Sequence, residues 1–223
     1  EIVKLLLVHK NINVNTKYII KNKKETANEQ YIEKNSLFLA IENKNETIVK
    51  LLLSHPDIDV NCKLITKNNT NLNTKQEALL HSAISQNNIE IVKNLLDNSQ
   101  IDVNIKSFEK YRDFNFIKEI ETPTLYHAVL YKNMEIIQLL LSRKDLDLSD
   151  QLKNTFFKSE NFFIIKKTAL HLAVTNNDWP IFQYLFNFLR KNRKLTDNLH
   201  ELMKIATDDK IKSFLYDEIN NQN

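Results

Sequence analysis

Two histidines in matching sequence contexts are the residues of this chain that most resemble a chemical site. His81 and His171 each stand in a Leu-His-x-Ala segment, where an imidazole could serve as a general base or as a metal ligand. Two further segments of the same kind place Phe38 and Tyr126 at the equivalent position. No single chemistry is shared by imidazole, phenyl and phenol side chains, so the pattern favours a structural role for all four residues.

The absence of glycine excludes several classes of enzyme motif. A P-loop, a dinucleotide-binding fingerprint and a nucleophile elbow each require glycine, and the sequence contains none. His200 and Glu201 open the sequence HELMK, which lacks the second histidine of a zinc-protease helix. Cys62 is the only cysteine, which suits a reducing compartment. We therefore expect a non-enzymatic, cytoplasmic protein with no catalytic residue, no cofactor and no metal.

Charge and hydropathy limit the kinds of partner. The 31 basic and 28 acidic residues give a net charge of +3, which is too small to indicate nucleic acid or an anionic membrane surface. No apolar run approaches the roughly 18 residues of a membrane span. We expect another protein as the partner, no nucleic acid, no membrane insertion and a monomer.

Internal repetition is the main organising signal. An apolar pair recurs about every 45 residues, and the apolar positions around it fall into two short runs with helical spacing, which predict a helix, a tight turn and a second helix. A residue suited to cap the second helix stands three positions before each of the last four aligned isoleucines. The isoleucines are Ile2, Ile48, Ile91, Ile136 and Ile181, and the predicted caps are Asn45, Asn88, Asn133 and Asp178.

These units resemble the ankyrin repeat. Thr168-Ala169-Leu170-His171-Leu172-Ala173 is similar to the T-P-L-H-x-A signature, and a second helix of EIVxLL type and a DVN segment follow in register. The resemblance implies an all-α solenoid of stacked helix-turn-helix repeats with long β-hairpin fingers. Because the usual period is about 33 residues, we expect the additional residues to lengthen the fingers. The resemblance also implies that His81 and His171 bond to backbone between repeats.

The turn between the two helices departs from the family pattern. Ankyrin repeats usually place glycine there, because glycine takes positive φ without steric cost. This chain has lysine or asparagine instead, and we expect looser turns where lysine occurs, unless these turns adopt another shape. The four residues are Lys44, Asn87, Lys132 and Asn177.

The repeats predict one ankyrin-repeat domain over residues 1–223. Residues 1–35 form a truncated N-terminal repeat and finger, residues 36–194 four full repeats, and residues 195–223 C-terminal capping helices. Because the chain opens inside a second helix and without Met, we expect the full-length protein to extend upstream of Glu1.

The inserted fingers differ in composition. Two of them alternate and predict strands at Ile105–Tyr111, Phe114–Ile120, Leu152–Phe157 and Phe162–Lys166. They hold seven of the twelve phenylalanines. The first two fingers are largely polar, and we expect disorder at their tips.

The resemblance places partner binding on the inner face of the first helices and on the fingers. The inner-face residues precede the turn: Glu42, Asn43, Ser85, Gln86, Leu130, Tyr131, Thr175 and Asn176. Leu130 and Tyr131 are the strongest pair, because adjacent apolar and aromatic side chains facing solvent suggest an occupied groove.

Finger aromatics complete the predicted partner-binding set: Phe114, Phe116, Phe157 and Phe163. Strict alternation places Phe114 and Phe116 on one face and brings Phe156 against Phe162. The alternative is that all these rings close into a sheet that joins finger to finger.

The favoured function is a non-catalytic protein–protein interaction module that uses the concave face and the fingers. The alternative is a regulatory or targeting segment of an enzyme whose catalytic domain lies upstream of Glu1. A third possibility is a structural spacer, which predicts no favoured surface.

Overall fold

The computed structural model describes residues 2–9, 11–23, 29–68, 72–112, 116–158, 161–195 and 197–221. The helices are α1 (Ile2–Leu7), α2 (Ser36–Glu42), α3 (Glu46–Leu53), α4 (Leu79–Ser85), α5 (Ile89–Leu96), α6 (Thr124–Leu130), α7 (Met134–Leu141), α8 (Ala169–Thr175), α9 (Trp179–Lys191), α10 (Leu199–Ile205) and α11 (Asp209–Asn220). The strands are β1 (Lys17–Lys23), β2 (Glu29–Asn35), β3 (Lys63–Asn68), β4 (Thr74–Ala78), β5 (Lys106–Arg112), β6 (Ile117–Pro123), β7 (Leu152–Lys158) and β8 (Asn161–Lys167).

The second helix of each full repeat begins as the sequence predicts. The side chains of Asn45, Asn88, Asn133 and Asp178 accept hydrogen bonds from the N–H groups three residues later, at 3.0 to 3.2 Å. Each bond satisfies an N–H group that has no partner inside the helix. The predicted N-caps are confirmed.

The four inter-helix turns share one left-handed conformation. The φ angles of Lys44, Asn87, Lys132 and Asn177 lie between 52° and 55°. The alternative that these turns take another shape is therefore wrong. Lysine occupies a conformation that costs a non-glycine residue roughly 1 kcal/mol or more.

The hairpins form a continuous sheet, and the expectation of an all-α fold class is wrong. Eight antiparallel strands follow one another in chain order, so each hairpin bonds to the hairpin of the next repeat. The polar first two fingers contribute β1 to β4, while their tips at residues 24–28 and 69–71 lie outside the described residues. A backbone paired on both sides holds a strand even where side chains are polar, as in Thr74–Ala78.

Strand register corrects the predicted contact between phenylalanines. Phe156 lies opposite Phe163, with ring centroids 5.0 Å apart, and Phe157 lies opposite Phe162. The expected pair of Phe156 and Phe162 is therefore wrong by one residue, because the observed register places Phe162 opposite Phe157. The strands themselves lie within a few residues of their predicted bounds.

The helices share a hydrophobic core that runs through successive repeats. Leu37, Ile84, Leu95 and Leu170 are fully buried in it, and Leu202 and Leu215 extend it into the α10–α11 pair. First helices pack on first helices, and α3, α5 and α7 pack in succession.

An asparagine ladder links the loops that follow the second helices. Asn61 donates to the Gln100 carbonyl and accepts from the Asp102 N–H, both at 2.8 Å. Asn15 makes the same pair of bonds to the Asp57 carbonyl and the Asp59 N–H. Asn104 makes them to the Asp145 carbonyl and the Asp147 N–H. The loops that carry Asn15, Asn61 and Asn104 thus join consecutive repeats through bonds between side chain and backbone.

Candidate partner-binding groove

A groove lies between helix α6 and one face of the sheet. It encloses a volume of about 330 Å³. Its helical side is formed by Tyr126, His127, Leu130 and Tyr131. Its sheet side is formed by residues of β4 to β7: Lys75, Glu77, Ser107, Glu109, Ile120, Thr122, Leu152 and Asn154.

The sheet side of the groove is an ordered row of cross-strand neighbours. Lys75 pairs with Glu109, Glu109 with Ile120, and Ile120 with Asn154, each on the adjacent strand. Directly opposed residues point to the same face of a sheet. Three consecutive hairpins therefore contribute one wall of the groove.

Leu130 and Tyr131 stand at the helical side with large exposed fractions. Leu130 is 48% exposed and Tyr131 is 45% exposed. Tyr131 is the C-cap of α6, where the chain turns through Lys132 into the next helix. The structure thus places the pair predicted from the sequence at a groove.

His127 is a groove residue that the sequence analysis did not select. It precedes Leu130 and Tyr131 by three and four positions, the spacing that puts helical residues on one face. Its ring lies 4.9 Å from the ring of Tyr131 and stacks on His81 at 4.5 Å, measured between centroids. That spacing is the signal in the sequence that could have identified it.

His81 beneath it is a structural residue with a complete set of hydrogen bonds. Its Nε2 lies 2.9 Å from the Thr124 hydroxyl, which donates to the Ile105 carbonyl, and its Nδ1 lies 2.7 Å from the Ser107 hydroxyl. These bonds reach into the following repeat, largely through side chains. Burial, reinforced by the neighbouring His127, holds the pKa of His81 well below its ordinary value. A neutral ring accordingly links the two repeats.

His127 is also neutral near neutral pH. Burial lowers its pKa to about 4, a hydrogen bond to the His81 backbone partly opposes this, and the charge of Lys75 adds to the lowering. Its Nε2 atom is buried and has no hydrogen-bond partner, and the same holds for Oδ1 of Asn154 across the groove. Buried polar atoms without partners are uncommon, so two of them beside one groove are a notable feature of this surface.

Charged residues in the groove are already paired. Nζ of Lys75 lies 2.8 Å from Glu77 and 3.8 Å from Glu109. One lysine thus faces two carboxylates, which leaves a slight local excess of negative charge. Because these side chains are partly exposed, their pairing contributes little to stability.

The remaining predicted inner-face residues are engaged locally. Glu42 accepts from Lys34 of β2 at 2.7 Å, so this pair spans from helix to sheet. Polar side chains of Asn43, Ser85 and Thr175 bond to carbonyl groups of their own helices. Gln86 and Asn176 are half-buried C-caps of α4 and α8.

The finger aromatics do not form one patch. Phe163 lies opposite Phe156 on the adjacent strand β7. Phe156 is two residues after Asn154, so both side chains point to the same face of the sheet. Phe163 therefore shares the groove face. Phe157 belongs to the opposite face, although it is 40% exposed. Phe116 is 39% exposed just before β6. Phe114 lies outside the described residues, so its predicted face shared with Phe116 is not described.

His171 resembles His81 in being tied to neighbouring residues. Its Nδ1 lies 2.8 Å from the Thr168 hydroxyl and 2.9 Å from Asp197, and it completes a capping box with Thr168. Among the described residues, no group of histidine, cysteine and carboxylate side chains has the arrangement of a metal site. No helix in the described ranges is long and apolar enough to cross a membrane.

The fold and its groove define a class: an array of helix-turn-helix repeats whose β-hairpins join into a sheet. The repeats are similar to the ankyrin repeat, because residues 1–107 match the family model for ankyrin repeats (3 copies). The resemblance drawn from the sequence is confirmed, and the later units continue the same element order.

One solved structure that matches is the ankyrin repeat domain of Bcl-3, described as a unique member of the IkappaB protein family. The identity is 21%, the match covers 82% of this chain and 68% of that chain, and the TM-score is 0.50. At this identity the likeness concerns the fold alone. No curated protein matches the sequence.

Proposed function

We infer that this protein is a non-catalytic interaction module that binds a segment of another protein in the groove beside α6. Repeat arrays of this kind generally bind other proteins through extended surfaces. The observation that carries the proposal is the pair Leu130 and Tyr131, about half exposed at the mouth of a groove walled by three hairpins. Aromatic and large apolar side chains of this kind dominate binding energy at protein interfaces.

The polar atoms of the groove support a partner that carries hydrogen-bonding groups. Nε2 of His127 and Oδ1 of Asn154 lack partners in the free protein. A purely apolar partner would leave both atoms unsatisfied. A partner segment with a donor near Tyr131 would satisfy one of them after a small side-chain rotation, and such a bond favours the bound state.

The first experiment measures binding with the two anchors removed. Leu130→Ser combined with Tyr131→Ser, and separately Tyr216→Ser, would be compared with the parent protein after partner capture from the source cell and titration of the purified partner. Tyr216 is a matched control, because it is an aromatic residue 57% exposed on α11 and away from the groove. We expect the double variant to weaken binding by roughly 2 kcal/mol or more, the scale of an interface anchor.

The outcome is decided by comparison of the two variants at unchanged helical content. Equal weakening by Tyr216→Ser, or unchanged binding by the double variant, would place the binding surface outside the groove.

A third variant, Asn154→Leu, tests the polar component. It removes an unsatisfied buried atom, so it should leave stability unchanged or raise it while binding weakens.

A further inference from the structure

The last strand of the sheet, β8, precedes the last helix pair but one. A hairpin directly precedes each of α2, α4, α6 and α8, whereas the described residues between α9 and α10 contain no strand. The helix pairs therefore continue one pair beyond the last hairpin. As a result β8 is an edge strand, with β7 on one side only.

Three consecutive apolar side chains are exposed on this edge strand. Phe163 is 53% exposed, Ile164 is 43% exposed and Ile165 is 41% exposed. Consecutive residues of a strand point to opposite faces, so both faces of the sheet are apolar along this edge. A long apolar edge is a template for pairing with another strand.

The opposite edge of the sheet has a different character. In β1 a single strongly exposed apolar residue, Ile19, lies between exposed Lys17 and Lys21. Lysine on an edge strand is a common protection against pairing with another chain. The two edges of the same sheet thus differ in the number of adjacent exposed apolar side chains, which among the described residues is one in β1 and three in β8.

We propose that β8 pairs with β8 of a second copy of this chain in an antiparallel arrangement, so that two eight-stranded sheets join across a two-fold axis. An axis at Ile164 places Phe163 of each copy opposite Ile165 of the other. Each exposed apolar side chain then has an apolar neighbour, and one surface serves both copies.

The distribution of charge selects the antiparallel arrangement and permits self-association. Lys166 and Lys167 follow the apolar residues, so antiparallel strands hold the two lysine pairs at opposite ends of the interface. Parallel strands would align them side by side, where like charges repel. The net charge of +3 opposes the approach of two copies only weakly. This arrangement replaces the monomer expected from the sequence. It uses the edge strand β8, whose described residues do not line the groove.

Sedimentation equilibrium over a wide concentration range tests the proposal with the intact protein. Three proteins would be compared: the parent, Ile164→Lys, and Ile19→Lys as a matched control on the opposite edge. We expect the mass of the parent to rise from 26.3 kDa toward twice that value. Ile164→Lys should weaken the dimer at least roughly tenfold, and Ile19→Lys should dimerise like the parent.

Hydrogen exchange locates the interface if a dimer forms. Amides of Phe163 to Lys167 should become more protected as the parent protein is concentrated, and circular dichroism should confirm that both variants are folded. A parent protein that stays monomeric over the whole range overturns the proposal. So does a dimer that is insensitive to Ile164→Lys, that is lost in Ile19→Lys, or that leaves exchange in β8 unchanged.

Discussion

Acidification should destabilise this protein through the stacked histidines of the groove. His81 and His127 have pKa values below their ordinary values in the folded protein because burial disfavours the charged ring. An unfolded chain has no such burial and binds a proton to each ring at a pKa of about 6.5. Below that pH the unfolded state binds more protons than the folded state, so the free energy of unfolding falls as the pH falls.

The magnitude follows from the folded pKa of His127, which is about 4. Between about pH 7 and about pH 5 the unfolded ring becomes protonated while the folded ring stays neutral. With 1.36 kcal/mol for each pKa unit, His127 alone should account for a loss of about 2 kcal/mol over that range. The loss due to His127 stops growing once the pH passes below about 4.

Urea denaturation of three proteins at several pH values measures this contribution. The proteins are the parent, His127→Asn, and His200→Asn as a control at an exposed position of α10. His127→Asn should lose about 2 kcal/mol less than the parent on acidification, and His200→Asn should follow the parent. Carboxylates titrate in all three proteins, so the difference isolates the imidazole. Identical pH dependence in the parent and in His127→Asn would show that His127 is not held neutral by the fold.

Three further predictions concern stability and are measurable by denaturation and hydrogen exchange. Leu95→Ala should lower the free energy of unfolding by roughly 2 to 5 kcal/mol, because Leu95 is fully buried. Hydrogen exchange should rise most in the adjacent repeats, and a uniform loss of protection along the array would contradict nearest-neighbour coupling. Lys132→Gly should raise the free energy of unfolding by about 0.5 to 1 kcal/mol, because glycine takes the left-handed conformation of this turn without steric cost. Asn87→Gly should stabilise less, because asparagine tolerates positive φ and Asn87 accepts a hydrogen bond from Asn133. Equal effects of the two substitutions would refute backbone strain at Lys132. Asn61→Ala should lower the free energy of unfolding by about 1 to 2 kcal/mol, because two hydrogen bonds to the next loop are lost. Ser149→Ala is the control, because Ser149 bonds to Asp147 within its own turn. A similar cost for both substitutions would show that the asparagine ladder does not stabilise the junction between repeats.

The helical part of the fold could be predicted because its signals are local. The caps at Asn88 and Asn133 and the apolar spacing of α5 and α7 depend on residues a few positions apart. The sheet could not be predicted in the same way. Strands such as β2 and β4 lack apolar alternation, and they are held by backbone pairing to residues of the next hairpin, 32 to 38 positions along the chain. Pairing of that kind leaves little trace in the side chains.

The residues of the groove divide in the same way, into those that the local sequence identifies and those that tertiary contacts decide. Repeat register was sufficient to select Leu130 and Tyr131, because equivalent positions in a repeat face the same side. The involvement of Asn154 depends on which face of β7 meets α6 and on the absence of a partner for its oxygen, and both are set by tertiary contacts. The sequence places Phe157 and Phe163 in one partner-binding set of finger aromatics, but the strand register puts them on opposite faces of the sheet.

Each junction between full repeats is held by several structurally distinct contacts. The helices share a core, successive hairpins exchange backbone hydrogen bonds, and at the earlier junctions asparagine side chains join consecutive loops. The sheet wall of the groove is built across three such hairpins, whereas its anchors come from one helix. A partner bound there therefore contacts neighbouring repeats at once. Because coupling in a repeat array runs mainly between neighbours, such a partner opposes the separation of the repeats that form its own site.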